Sequence, residues 1–126
     1  MNYRNRDLLD LAHKLHDCPL CNGYSVDGLE PAHSNQGKHG KGMGIKAHDN
    51  FHAAICHDCH SLLDNGMLNR EDAKDMWALA YDLTMLEYFK RGWLTVNASI
   101  HASQVNERIA KEYIASSSIE FKNGKG

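Results

Sequence analysis

The chain has 126 residues, with 14 lysines and arginines against 16 aspartates and glutamates, and a formal net charge of −2. This charge excludes a polybasic coat for nucleic acid, so any contact with phosphates must come from a local cluster of basic side chains. The sequence has no apolar run of the roughly 20 residues that a membrane span needs and no recognisable secretory signal, so we expect a cytoplasmic protein of single-domain size without a membrane contact.

The N-terminal third begins with a predicted helix. From Arg6 to His16 the apolar residues recur at helical spacing, which indicates one amphipathic helix that delivers the chain to Cys18 and Cys21. The following segment, Tyr24 to Ala32, is expected to contain short extended stretches, because Pro31 is unfavourable inside a helix.

The next segment, from Ser34 to Lys46, combines four glycines with three lysines. Glycine allows backbone N–H groups to approach a ligand closely, and lysines supply charge for phosphate oxygens without reading bases. We therefore expect Lys38, Lys41 and Lys46 to contact DNA. A flexible, solvated connector is an equally good interpretation of this composition.

A strand is predicted from Phe51 to Ile55, and a helix is expected to open within Cys59 to Leu63. Residues four apart on a helix share a face, so His60 and Asp64 would project side by side. This pair could hold one cation.

Four cysteines occur as two C-x2-C pairs, Cys18 with Cys21 and Cys56 with Cys59. Such paired knuckles are typical of a structural zinc site with four thiolate ligands. Two disulfides are the alternative, which an expected reducing cytosol disfavours. A zinc ion closed in by four thiolates has no open position for water, so it would serve folding rather than catalysis.

A long helix is predicted downstream. Asn69 can cap its start and Gly92 can end it. The apolar residues between them form a broad stripe that we expect to face the core. The stripe comprises Ala73, Met76, Trp77, Ala80, Leu83, Leu86 and Phe89.

These pieces occur together in an order that resembles a known family, the YbcO-type nucleases of phages and prophages. The resemblance covers approximately Leu8 to Val96. Its specificity lies in the combination of motifs rather than in any one of them. The motifs are Ala32-His33, the Gly42–Lys46 stretch, Asp49, the Cys56–His60 run and Asp64.

The resemblance implies an α+β fold with a small, zinc-stapled ββα-metal (HNH-like) core and flanking helices, over residues 1–96. It also implies that the partner is DNA and that the reaction is phosphodiester hydrolysis. The implied cofactors are a catalytic divalent cation, Mg²⁺ or Mn²⁺, and a structural Zn²⁺. The implied location is the cytoplasm of a host cell. Residues 97–126, with a helix predicted from Ile100 to Ile114 and a frayed tail, have no counterpart in that family. The oligomeric state is open, and a homodimer is one option.

The same resemblance implies roles for single residues. His33 occupies the place of the general base, His60 that of a metal ligand, and Asn50 or Asp49 that of the residue which holds the loop of the base. Many members carry Asp before the base histidine, where Ala32 stands here and can coordinate nothing. The second metal ligand must then come from elsewhere. The spacing from His60 favours Asp64, with Glu30, His39 and His48 as substitutes.

A function from another class remains open. A non-catalytic zinc module that binds nucleic acid or serves as an adaptor would also have use for these features. They are the four cysteines, the loop from Ser34 to Lys46 (the Lys-Gly loop) and the long helix. The absence of Asp at position 32 is compatible with a decayed active site, whereas the presence of His33, His60 and Asp64 argues against decay.

Overall fold

The structure is a computed structural model, and it describes residues 2–95. It has an α+β fold in which one two-stranded sheet packs among helices. In chain order the elements are helix α1 (Arg6–Asp10), strand β1 (Glu30–His33), strand β2 (His52–Ile55), helix α2 (His57–Asp64) and helix α3 (Arg70–Lys90). The helix predicted from Ile100 to Ile114 and the tail lie outside the described residues.

The first helix is shorter than its sequence pattern predicts. It begins at Arg6, as expected, but gives way to a 3₁₀ turn over Leu11–Lys14, and Leu15 is already extended. The carbonyl of Leu15 accepts a hydrogen bond of 2.8 Å from the N–H of Leu29, which lies just before β1. The prediction of one helix from Arg6 to His16 is therefore wrong, because this long-range pairing overrides the local helical periodicity.

A glycine turn sets the approach to β1. Gly28 has a positive φ of 91°, and its N–H donates to the carbonyl of Ser25 at 3.1 Å. A Cβ atom at Gly28 would collide with the backbone of His13, so only glycine fits here. Within the predicted extended region, a regular strand forms only from Glu30 onward.

The sheet is a two-stranded antiparallel pair whose register decides which residues share an end. Glu30 lies opposite Ile55, beside the start of α2, and His33 lies opposite His52. All four residues of β2 are buried, and this strand begins one residue after the predicted Phe51. The two ends of β1 therefore present Glu30 and His33 to different surroundings.

Helix α3 covers β2 and satisfies polar groups of the sheet. The indole N–H of Trp77 donates to the carbonyl of Ala32 at 2.9 Å. The hydroxyl of Thr84 accepts from the N–H of Ala54 at 3.0 Å. The predicted start of this helix is confirmed, because the side chain of Asn69 accepts from the N–H of Asp72 at 2.8 Å.

The buried face of α3 differs from the predicted apolar stripe. Trp77 is buried as expected, but Leu83 is 39% exposed, Leu86 54% and Phe89 46%, so the assignment of these three to the core is wrong. Thr84 and Tyr88 are buried in their place, because their hydroxyls bond to groups on β2. Hydrogen bonding to the sheet therefore sets the rotation of the helix. The large apolar side chains of α3 that are exposed are Leu79, Leu83, Leu86 and Phe89.

Buried His52 depends on Tyr88 for one of its two hydrogen bonds. Its Nδ1–H donates to the carbonyl of Asp49 at 2.7 Å, so its Nε2 accepts from the hydroxyl of Tyr88 at 2.9 Å. Burial lowers the pKa of His52, which favours this neutral form.

We expect Tyr88→Phe to lower the free energy of unfolding by about 1–3 kcal/mol, because it leaves a buried acceptor of His52 without a donor. Urea denaturation of the zinc-loaded chain measures this loss. Tyr81→Phe is the matched control, because no hydrogen bond within residues 2–95 uses the Tyr81 hydroxyl. Equal losses from the two substitutions would contradict the assigned role of Tyr88.

Candidate functional site

The first cysteine pair lies on a tight hairpin. The N–H of Cys18 donates to the carbonyl of Gly23 at 2.9 Å, and the N–H of Asn22 donates to the carbonyl of Cys18 at 2.8 Å. Asn22 has a left-handed φ of 60°, which closes the turn. Gly23 then brings its N–H to 3.3 Å from the sulfur of Cys21. The hairpin thus presents both sulfurs on one side.

The second cysteine pair lies where β2 passes into α2. Cys56 is the N-cap of α2, and its sulfur accepts from the N–H of Cys59 at 3.4 Å. The helix therefore begins at His57, two residues before the predicted Cys59, because the cysteine ligand itself caps it. This arrangement fixes the second cysteine pair at the end of the sheet.

The two pairs converge on one point. All four sulfurs lie within 4.8 Å of one another, and those of Cys21 and Cys56 are 3.7 Å apart. A tetrahedral site with Zn–S bonds of about 2.3 Å needs sulfurs about 3.8 Å apart. The four cysteines are free thiols rather than disulfides. Their positions therefore suit a single structural metal ion such as zinc.

Backbone donors favour the thiolate form of part of this cluster. Burial opposes ionisation of Cys18, but the N–H groups of Cys56, Cys21 and Leu20 outweigh it and lower the pKa of Cys18 to about 7. Burial raises the pKa of Cys59. A bound cation would favour the deprotonated form of that thiol as well, because metal ligands bind as thiolates.

A second constellation lies at the far end of β1. The Nε2 of His33 is 2.9 Å from the Oδ1 of Asp49. Asp49 is buried, and it also accepts from the backbone N–H of Asn5 at 2.6 Å and from Arg4 at 3.2 Å. Burial alone would raise the pKa of Asp49, but the bonds to His33 and Asn5 and the charge of Arg4 hold it below its usual value.

The ionised Asp49 fixes the tautomer of His33. A carboxylate can only accept, so the Nε2 of His33 carries the proton that it donates to Asp49. The Nδ1 of His33 therefore retains its lone pair. The neighbouring Asn50 is exposed, and no side-chain hydrogen bond within residues 2–95 uses it. Of the two candidates named from the sequence, the structure thus brings Asp49, not Asn50, to His33.

The predicted pair on α2 is also present. The Nε2 of His60 lies 3.3 Å from the Oδ2 of Asp64. On the other side of the ring, the Nδ1 of His60 lies 2.9 Å from Glu30, which also contacts His57 at 3.0 Å. Burial alone would raise the pKa of Glu30, but these two histidines lower it.

This geometry suits a metal-binding role for His60. Both ring nitrogens of His60 face carboxylates, Nδ1 towards Glu30 and Nε2 towards Asp64, and a carboxylate behind the ring is the usual support of a metal-binding histidine. Glu30 therefore contacts His60 on the side of the ring opposite Asp64. An imidazole and a carboxylate are ligand types that divalent cations accept.

His39 and His48, the other two candidates for the second metal ligand, contact neighbouring groups of the fold instead. His39 stacks on Phe51 with ring centroids 4.1 Å apart, and its Nδ1 lies 2.6 Å from the hydroxyl of Ser34. His48 accepts from the N–H of Tyr3 at 2.9 Å. Both histidines thus hold the loop that leads to β2.

The Lys-Gly loop is anchored at its base. The side chain of Asn2 donates to the carbonyls of Gly40 and Lys46 at 2.7 and 2.8 Å. Between them, Gly42 and Ile45 exchange two backbone hydrogen bonds across a tight turn. The loop is therefore an ordered hairpin at this point rather than a free connector.

His33 and Asp64 open into one cleft with a volume of about 980 Å³. The residues of α2 that line this cleft are Leu63 and Asp64, and His60 does not line it. The cleft lining also includes Lys38 but not Lys41 or Lys46.

Sequence reasoning missed several residues of this region. Arg4 and Asn5 hold Asp49 from a segment more than 40 positions away, and no local pattern indicates that contact. Arg70 and Lys74 line the cleft from the first turns of α3. Their i, i+4 spacing was a signal that could have been recognised, because it places two basic residues on one helix face.

Comparison with protein-family models, curated proteins and solved structures finds no match to this chain. Within residues 2–95, none of the helices has the length and apolar character needed to cross a bilayer.

We expect the purified protein to hold one zinc ion per chain and to unfold when it is removed, because the four thiols join segments far apart in sequence. Elemental analysis combined with native mass spectrometry measures the stoichiometry. Cys56→Ser should cost several kcal/mol of stability, whereas the neighbouring Asp58→Asn should retain the metal. Less than half an equivalent of zinc in protein prepared without chelators would contradict this assignment.

Proposed function

We propose that this chain is a metal-dependent DNA endonuclease of the HNH-like, ββα-metal type with a structural zinc ion. The observation that carries the proposal is the His33–Asp49 pair, at 2.9 Å, in a cleft that Asp64 also lines. The order of strand, loop, strand and helix supports it, as does the histidine at the end of the first strand. DNA as the substrate and a phage or prophage source follow from the family resemblance.

In this proposal His33 is the general base. Its Nδ1 lone pair accepts a proton from the water that attacks the phosphodiester, while Nε2–H stays bonded to Asp49. Asp49 orients the ring and stabilises the positive charge that the ring acquires. The hydrogen bonds of Asp49 to Asn5 and Arg4 keep this carboxylate in place.

His60 and Asp64 would hold the catalytic divalent cation. When bound there, the cation supplies Lewis-acid polarisation of the phosphate and neutralises charge on the leaving oxygen. Glu30 fixes His60 through its Nδ1–H, at 2.9 Å, so that Nε2 is directed at the cation position. A cation with only these two protein ligands would be able to bind the scissile phosphate and water as well.

The proposal predicts nicking of supercoiled plasmid by the zinc-loaded chain with added Mg²⁺ or Mn²⁺. His33→Ala should reduce the cleavage rate at least about 100-fold without weakening DNA binding, because a general base acts only in the transition state. Asp49→Asn should also be slow, because an amide no longer enforces the tautomer of His33. The exposed His13 provides the matched control, His13→Ala, which should cleave at the wild-type rate.

Two outcomes would refute parts of this proposal. If His33→Ala cleaves as fast as wild type at saturating metal, His33 is not the base. If the wild-type chain binds DNA but cleaves it with neither cation, the protein is a non-catalytic zinc module, which is the alternative from the sequence.

A further inference from the structure

The cleft is lined by basic side chains that have no role in the proposed mechanism. Its wall carries three basic side chains, Lys38, Arg70 and Lys74, against a single acidic one, Asp64. The whole chain has a formal net charge of −2, so this wall is a local concentration of positive charge. It is the kind of cluster that phosphate binding requires of a protein without a basic coat.

Arg70 and Lys74 share one face of α3. They are four residues apart near its start, and both are exposed. Their acidic neighbours Glu71 and Asp75 do not line the cleft, and Asp72 accepts a hydrogen bond from Asn69 at 2.9 Å. The face that α3 turns to the cleft is therefore basic, although the segment as a whole carries both charges.

These cations also lack internal partners within residues 2–95. No ion pair in that range engages Arg70, Lys74 or Lys38. The cations at the opposite end of α3 behave differently, because Lys90 and Arg91 both pair with Glu87 at 3.9 and 2.7 Å. The two ends of one helix thus differ in the charge available to a ligand.

We propose that Arg70 and Lys74, together with Lys38, bind the phosphate backbone of a nucleic-acid strand that runs through the cleft past His33. This inference rests on the proposed function and adds the path of the substrate. Because the contacts go to phosphates, they position the strand without sequence preference. Lys38 thus keeps the DNA contact that the sequence predicts for it, while Lys41 and Lys46 lie outside the cleft lining.

The test is the salt dependence of binding to a labelled DNA duplex, measured by fluorescence anisotropy on the zinc-loaded full chain with Ca²⁺ in place of a catalytic cation. Each phosphate contact contributes about 0.9 to the slope of log affinity against log salt. The double substitution Arg70→Gln/Lys74→Gln should therefore flatten the slope by about 1.8. The loss should be the same for unrelated duplex sequences.

The matched control is Lys90→Gln/Arg91→Gln, which removes the same charge from the same helix about 24 Å from Lys74. It should leave the slope unchanged, and the charge-preserving Arg70→Lys/Lys74→Arg should retain it as well. An unchanged slope in Arg70→Gln/Lys74→Gln, or an equal loss in the control, would overturn the proposal.

Hydrolysis of a small phosphodiester, bis(p-nitrophenyl) phosphate, separates this inference from the proposed function. The small diester has no polyanionic backbone, so its hydrolysis by the wild-type chain in Mn²⁺ tests the reaction without testing the path of a strand. If the slope flattens by about 1.8 in the variant but the wild-type chain hydrolyses neither DNA nor the small diester, the nuclease proposal is refuted and the binding path stands. If the wild-type chain cleaves DNA but the slope is unchanged in the variant, the binding path is refuted and the nuclease proposal stands.

Discussion

The convergence of four cysteine sulfurs is the constraint on which the remaining structure depends. It joins the hairpin of Cys18 and Cys21 to the junction of β2 and α2, where Cys56 is both a potential ligand and the helix cap. A chain with so small a core gains much of its stability from such a staple. The direction of α2, and hence the position of His60 and Asp64, is set from this junction.

The sheet register then separates two tasks. Glu30 lies opposite Ile55 at the end near Cys56, where it contacts His60, whereas His33 lies opposite His52 at the other end, where it contacts Asp49. Each histidine thus has a carboxylate behind one nitrogen, while the second nitrogen of His60 faces Asp64. This shared arrangement is what a base and a metal ligand both require, because each must present one nitrogen in a fixed orientation.

Local patterns predicted the parts of this molecule that depend on local physics. The cap at Asn69, the strand beginning near Phe51 and the i, i+4 pair of His60 and Asp64 are all present. The errors occur where distant segments decide. The pairing of Leu15 with Leu29 ends the first helix early, and hydrogen bonds to β2 bury Thr84 and Tyr88, so Phe89 is left exposed. Hydrophobic periodicity contains no information about such partners.

In our proposal, a divalent cation held by His60 and Asp64 serves His33 across the cleft that His33 and Asp64 both line, separately from the four-cysteine cluster. Titration of the zinc-loaded chain with Mn²⁺, followed through the histidine ring signals in NMR spectra, tests it most directly. We expect paramagnetic broadening to be strongest at His60, to extend to His33 and to be lost in Asp64→Asn. Broadening that spares His60, or that persists unchanged in Asp64→Asn, would show that this pair does not hold the cation.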